Sequence, residues 1–172
     1  MITGDRRRVV VGVSQSLAGL AAVRFALREA RRCDAPLYAV RAWALPSHWH
    51  GPAVNAWRHE LRAEARQYIA EAFDAAAGGP PGDVDVLAAV PDARADRALV
   101  DAADDERDLL VLGARSSWRR LWPSWVVRGC LSAARCPVIV VPPPALARIA
   151  GPWSRHRLAR EATRATAGST PT

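Results

Sequence analysis

Residues 109–130, LLVLGARSSWRRLWPSWVVRGC, decide how this chain is read. Leu109–Leu112 is a short, unbroken apolar run, as expected of a strand buried on both faces. It stops at Gly113. Arginines, tryptophans, serines and Pro123 follow before an apolar stretch resumes at Val126. A buried strand that ends in glycine and small polar residues, just ahead of a helix, is the local grammar of a phosphate site. Here that grammar is interrupted by tryptophan. Segment 113–125 therefore reads either as an arginine- and tryptophan-rich loop over the sheet edge or as an anion site.

Similar strands recur on both sides. RRVVVGV is the first, and APLYAVRAW, VDVLAAV and CPVIVV complete a set of five with DLLVLG. Helical periodicity lies between them. Leu17, Leu20, Val23, Leu27 and Ala30 form a stripe after the first strand, with Ser16 as N-cap. Trp57, Leu61, Ala65, Tyr68, Ala72 and Phe73 form another within a helix over 55–77. PDARADRALVDAADDE supplies a third helix with Leu99 and Ala103 facing inward. Residues 124–134 supply the fourth. Strands alternating with helices imply a parallel sheet sandwiched by helices, with right-handed crossovers and a ligand cleft at the carboxyl ends of the strands. The expected class is α/β, Rossmann-like.

The chain's 172 residues suffice for one domain with a real core. It divides into an N-terminal extension, 1–6, a domain, 7–144, and a basic tail, 145–172, whose last residues are small and polar. An amphipathic helix over 155–164 is a further reading of the tail. No apolar run approaches the ~18 residues of a membrane span, and the five-residue run VVVGV is too short for a secretory signal. A cytoplasmic protein is expected. Cys33, Cys130 and Cys136 fit no metal-ligand spacing and read as structural thiols.

All 24 basic residues are arginine, and against 17 acids they leave a net charge of +7. Many arginines alternate with acids, as in RHELRAEARQYIAEAF, which is the pattern of solvated helix faces. Nucleic acid is thus an unfavoured partner. His48 and His50 in SHWHG, with His59 beyond, lack the further ligands that a metal site needs. No Ser-His-Asp arrangement or paired carboxylate marks a catalytic centre, so no catalytic residue is assigned.

Taken together, VVVGVSQS, APLYAVRAW, DLLVLGARS and ARCPVIVV, in that order, resemble the universal stress protein family over Arg7 to Pro142. The resemblance implies a sheet of order 3-2-1-4-5 and a divergent member of an actinobacterial type. In the family's ATP-binding branch, G-x-x-G is followed after nine residues by G-S/T. Carried onto this chain, the first glycine is Gly113, the second falls on Ser116, and the last step falls on Ser124 and Trp125, with two residues fewer between. The first-loop aspartate falls on Ser14 and the glycine after it on Gln15. By this resemblance the nucleotide site comprises Gly12, Val13, Ser14, Ala42, Leu112, Gly113, Ser116, Ser124, Trp125 and Val126, with Arg115, Arg119 and Arg120 as phosphate contacts. ATP is the cofactor in question, and its binding is expected to be weak or absent because the glycine cradle is eroded.

Two roles stand open for Ser14 and Ser16, a turn with a helix cap or ligands. Trp118, Trp122 and Trp125 could stack a base or pack against a partner. The loop SQSLAG lacks the glycine pair and aspartate of the PP-loop pyrophosphatases, and the acidic pair of phospho-receiver domains is missing too. The function implied is a regulatory stress-response module acting through dimerisation and an unidentified protein partner. A genuine ATP-binding protein, slow ATP hydrolysis included, is the first alternative, and a nucleic-acid binder the second. Val138, Ile139, Val140 and Val141 form the strand expected to pair with a two-fold mate. This strand is short, uncharged and β-branched, and in the implied order it lies at the sheet edge.

Overall fold

The computed structural model describes residues 7–44, 52–79, 81–114 and 124–145, with the side chains of 52–56 excepted. Its strands are β1 (Val9–Gly12), β2 (Leu37–Val40), β3 (Val86–Ala89), β4 (Leu109–Gly113) and β5 (Val138–Val141). Its helices are α1 (Leu17–Cys33), α2 (Pro52–Ala77), α3 (Ala95–Ala102) and α4 (Trp125–Ala133). All neighbouring strands pair in parallel, in the order β3-β2-β1-β4-β5. This is the expected five-stranded sheet.

The alternation of side chains along each strand splits the core into two layers. Val9, Val11, Leu37, Ala39, Leu109 and Val111 face α1 and α2, where they meet Val23, Leu27 and Phe73. Val10, Val40, Leu110 and Leu112 face the other way, onto Leu99, Ala103, Val127 and Cys130. Leu99 and Ala103 are buried, as the sequence pattern implies.

Two apolar stripes differ from expectation. Leu17 is 53% exposed, and α1 rests on the sheet mainly through Ala18, Gly19, Ala22, Val23, Ala26, Leu27 and Ala30. Small residues let this helix lie close to the strands, which displaces the stripe drawn through the leucines. Leu20 packs against the core only in part. On α2, Trp57 is 45% exposed, and burial runs through Ala65, Ile69, Ala72, Phe73 and Ala76. The helix meets the core through its second half.

Element ends follow local chemistry. Ser16 caps α1, its Oγ accepting from the Gly19 amide at 3.0 Å. Asp34 closes α1 with φ of 48°, a left-handed turn that aspartate tolerates. The third helix is shorter than its sequence pattern. Asp92 is bridged to Trp43 and the Ala93 amide donates to the Trp43 carbonyl at 2.9 Å, so this backbone extends β2's pairing before α3 begins.

At the amino end of the sheet, Asp108 is wholly buried between β1 and β4. Its carboxylate accepts from the Arg8 amide at 3.0 Å, from Arg8 Nη2 at 2.6 Å and from the Asp105 amide at 3.3 Å. Arg8 also pairs with Asp104, and its guanidinium lies 5.5 Å from the Tyr38 ring centroid. These groups tie the chain's entry to the strand that begins 100 residues later. They hold Arg8 more firmly protonated and push the Asp104 carboxyl below its ordinary range, chiefly through the hydrogen bond with Arg8.

Candidate functional site: the cleft over β1, β2 and β4

Parallel strands deliver their carboxyl ends to one edge of the sheet, and the crossover helices begin there. The strand order reverses between β1 and β4, so the segments leaving these strands diverge and leave a cleft. That cleft encloses about 200 Å³. Gly12, Val13, Ser14, Ala42, Leu112, Gly113, Ser124, Trp125 and Val126 all line it. These are the expected site residues that fall within the described part of the chain. Ser116, Arg115, Arg119 and Arg120 lie outside the described residues, as do Trp118, Trp122, His48, His50 and the segment 155–164.

Val40, Arg41, Ala95, Leu99 and Val127 complete the lining. Leu99, whose helical spacing marks it as a core residue, also reaches the site. The available signal was topological: a crossover helix starts at the carboxyl edge, so the first turns of α3 and α4 must face the cleft. Aliphatic side chains make up more than half of the wall, and Arg41, Ser14 and Ser124 are polar members of it.

The first loop is occupied by its own capping. Ser14 Oγ and Ser16 Oγ are 2.9 Å apart, and Ser16 Oγ takes the Gly19 amide. A Cβ at Gly19 would overlap the Ser14 carbonyl and hydroxyl, so the loop sits tightly on the helix it opens. The Gln15 amide donates to the Tyr68 hydroxyl at 2.8 Å, and its side-chain nitrogen donates to Glu71 at 2.8 Å. Tyr68 in turn carries the Arg41 guanidinium 4.0 Å from its ring centroid. Helix α2 thereby fixes one wall of the cleft.

Gly113 is also engaged. A Cβ there would stand 2.7 Å from the Ala18 carbonyl carbon and from the Gly19 nitrogen. The glycine permits the close approach of α1 to β4. At Gly12 a Cβ would meet Leu112 at 3.2 Å and Leu99 at 3.3 Å, so the bare backbone leaves room between the two leucines.

The opposite wall is the start of α4. Ser124 caps it, accepting from the Val127 amide at 3.3 Å. Trp125 is the first helical residue and is 50% exposed. Arg94, at the cap of α3, sits 5.3 Å from the Trp125 ring centroid. Its guanidinium donates to both oxygens of Asp96, at 3.2 and 3.0 Å. The Asp96 carboxyl is held below its ordinary range, first by that hydrogen bond. Asp96 lies against Gly129, where a Cβ would come within 2.6 Å of Asp96 Oδ2. The thiol of Cys130 faces the Asp96 carbonyl at 3.8 Å, and burial pushes it up to about 11.

Among the described residues, no three histidine, cysteine or acidic side chains come together as metal ligands. No described helix is long and apolar enough to cross a membrane.

The same arrangement of sheet and helices occurs in solved structures. A universal stress protein from Lactobacillus plantarum superposes with a TM-score of 0.61 at 24% identity, over 81% of this chain and 99% of that one. A universal stress protein solved in complex with cAMP gives 0.52 at 22% identity, over 82% of this chain and 100% of that one. An Arabidopsis thaliana family protein with AMP bound gives 0.54 at 17% identity, over 81% and 93%. A search of curated proteins finds no match. The model of the universal stress protein family matches residues 5–142. With that match spanning most of its length, and with the expected sheet order in place, the chain belongs to the universal stress protein family.

Proposed function

We propose that this protein is a stress-response regulatory module whose cleft admits the nucleoside part of an adenine nucleotide but binds ATP weakly at most. The observation that carries the reading is that the described groups at the cleft's polar end are already engaged within the fold. Gly113 is pressed against α1, Ser14 and Ser124 serve as caps or cap partners, and Trp125 occupies the first turn of α4. The cAMP and AMP bound in two structures of similar fold support an adenosine-shaped ligand. The aliphatic wall from Val40, Ala42, Leu99 and Leu112 supports it independently.

The output in this reading is interaction with protein partners: the serines described at the cleft serve as helix caps or cap partners. Edge strand β5, through Val138 to Val141, pairs with β4 on one side and offers its other side to a second copy. Several of the described arginines are already paired with acids, which weighs against a nucleic-acid partner. Arg31 pairs with Asp83, Arg58 with Asp92, Arg94 with Asp96 and Arg107 with Asp105.

The test combines mass analysis of small molecules released from the purified protein with a calorimetric titration of ATP. No co-purified ATP and a dissociation constant above about 100 μM support the reading. Retained ATP, or submicromolar affinity, favours the genuine ATP-binding alternative. Dimerisation is tested by sedimentation: the wild type is expected to be a dimer at micromolar concentration, and Ile139→Pro a monomer.

A further inference from the structure

Helix α4 points its amino end at the cleft, and the first-turn amides of a helix lack intrahelical partners. In an open cleft that pole would attract the phosphates of a ligand. Here the first helical residue is a tryptophan, half-exposed and part of the cleft wall. The ring is not loosely placed. Arg94 lies over it at 5.3 Å, Asp96 holds Arg94 through both carboxylate oxygens, and Asp96 is seated against the bare backbone of Gly129. The chain of contacts Gly129–Asp96–Arg94–Trp125 spans α3 and α4 and fixes the indole at the lip.

Among the described residues, two cations lie near the cleft and both are engaged: Arg94 by Asp96, and Arg41, in the lining, over the Tyr68 ring. Arg94 could meet a phosphate, but Asp96 already satisfies its charge. The pole is thus screened by an apolar ring, and the adjacent guanidinium is spent on a carboxylate. A flat base or nucleoside loses nothing by this arrangement and gains an aromatic surface to stack on. A triphosphate laid against the start of α4 sets its charges beside a ring and a neutralised ion pair.

We infer that Trp125, held by Arg94 and Asp96, is a specificity-determining residue that makes the cleft select an uncharged nucleoside over the corresponding triphosphate. The inference rests on the reading of the cleft as an adenosine site and adds the ligand's charge state and the residue that sets it.

The experiment is a calorimetric titration of the full chain with adenosine and with magnesium ATP at one ionic strength. It compares wild type, Trp125→Ser and Trp125→Phe. Wild type is expected to bind adenosine at least about tenfold more tightly than ATP. Trp125→Ser should weaken adenosine by about tenfold through lost stacking and strengthen ATP, reversing the preference. Trp125→Phe should keep the wild-type order. Trp125 lies outside both core layers, so these variants should fold, with circular dichroism and a cooperative melt as the check. Arg94→Ala, which frees the ring and leaves the indole in place, provides a second route and should narrow the preference. If adenosine binds and Trp125→Ser leaves its ratio to ATP unchanged, the inference is overturned while the adenosine site stands. If neither ligand binds any variant, the adenosine site itself is wrong, and the inference falls with it.

Discussion

Gly113 and Gly19 meet backbone to backbone: a Cβ on Gly113 would stand 2.7 Å from the Gly19 nitrogen. The glycine at the end of β4 is therefore required by helix packing whether or not a ligand is present. Gly113→Ala should destabilise the ligand-free protein by about 2 kcal/mol, the scale of overpacking against backbone that cannot rotate aside. Urea unfolding checks this. A variant as stable as wild type would mean that α1 can shift, and that the glycine is free to serve a ligand instead.

Asp108 and Arg8 make the second prediction. Asp108 is fully buried and Arg8 largely so, with side-chain exposures of 1% and 20%. Removing one partner leaves the other charge in the core. Arg8→Ala should cost about 3 kcal/mol, and Asp108→Ala should cost as much or more. The double variant should be less destabilised than the sum of the two, as measured in a double-mutant cycle by denaturant unfolding.

Acid stability has a definite sign. Asp96, Asp104 and Asp105 all have carboxyls held below the usual range by arginine hydrogen bonds, Asp105 at about 2. As pH falls through about 4 the unfolded chain takes up these protons first, which favours unfolding. Their contribution is complete above that pH and fades toward pH 2. Thermal midpoints measured from pH 6 to pH 2 should be flat and then fall, and salt should reduce the slope because the pairs are largely at the surface. Asp105→Asn should flatten the acid limb.

Thiol chemistry separates the three cysteines. Cys130 and Cys136 are buried with their thiols pushed up by desolvation, whereas Cys33 is only half-buried. At pH 8, iodoacetamide should label Cys33 first, and Cys130 only at the rate of unfolding. Mass spectrometry of timed digests follows this. Fast labelling of Cys130 would contradict the close packing of α4 on α3.

The sheet was readable because each buried strand is a short β-branched run between helical segments, and that alternation admits little else. DLLVLG and CPVIVV carry their own boundaries in glycine and proline. What could not be read depends on distance along the chain or on depth of packing. Nothing beside Arg8 announces Asp108, and nothing beside Gly113 announces Gly19. Leu17 fits the helical stripe as well as Leu27 does, yet the small residues beside it bring α1 so close to the sheet that Leu17 lies at the rim. At the cleft, resemblance located the ends of β1 and β4, but Ala95 and Leu99 entered only through the direction of the crossover helix. Trp125 was legible as a substitution. Its clasp by Arg94 and Asp96 was not, because it joins two helices separated by the whole of β4.

Backbone amide NMR during an ATP titration tests most directly how the cleft responds to ATP. The account predicts fast-exchange shifts confined to Gly12–Ser14, Val40–Ala42 and Ser124–Val127, still moving at ligand concentrations of about 100 μM and above. Shifts that saturate at one equivalent in slow exchange, or that centre on another part of the molecule, would contradict it.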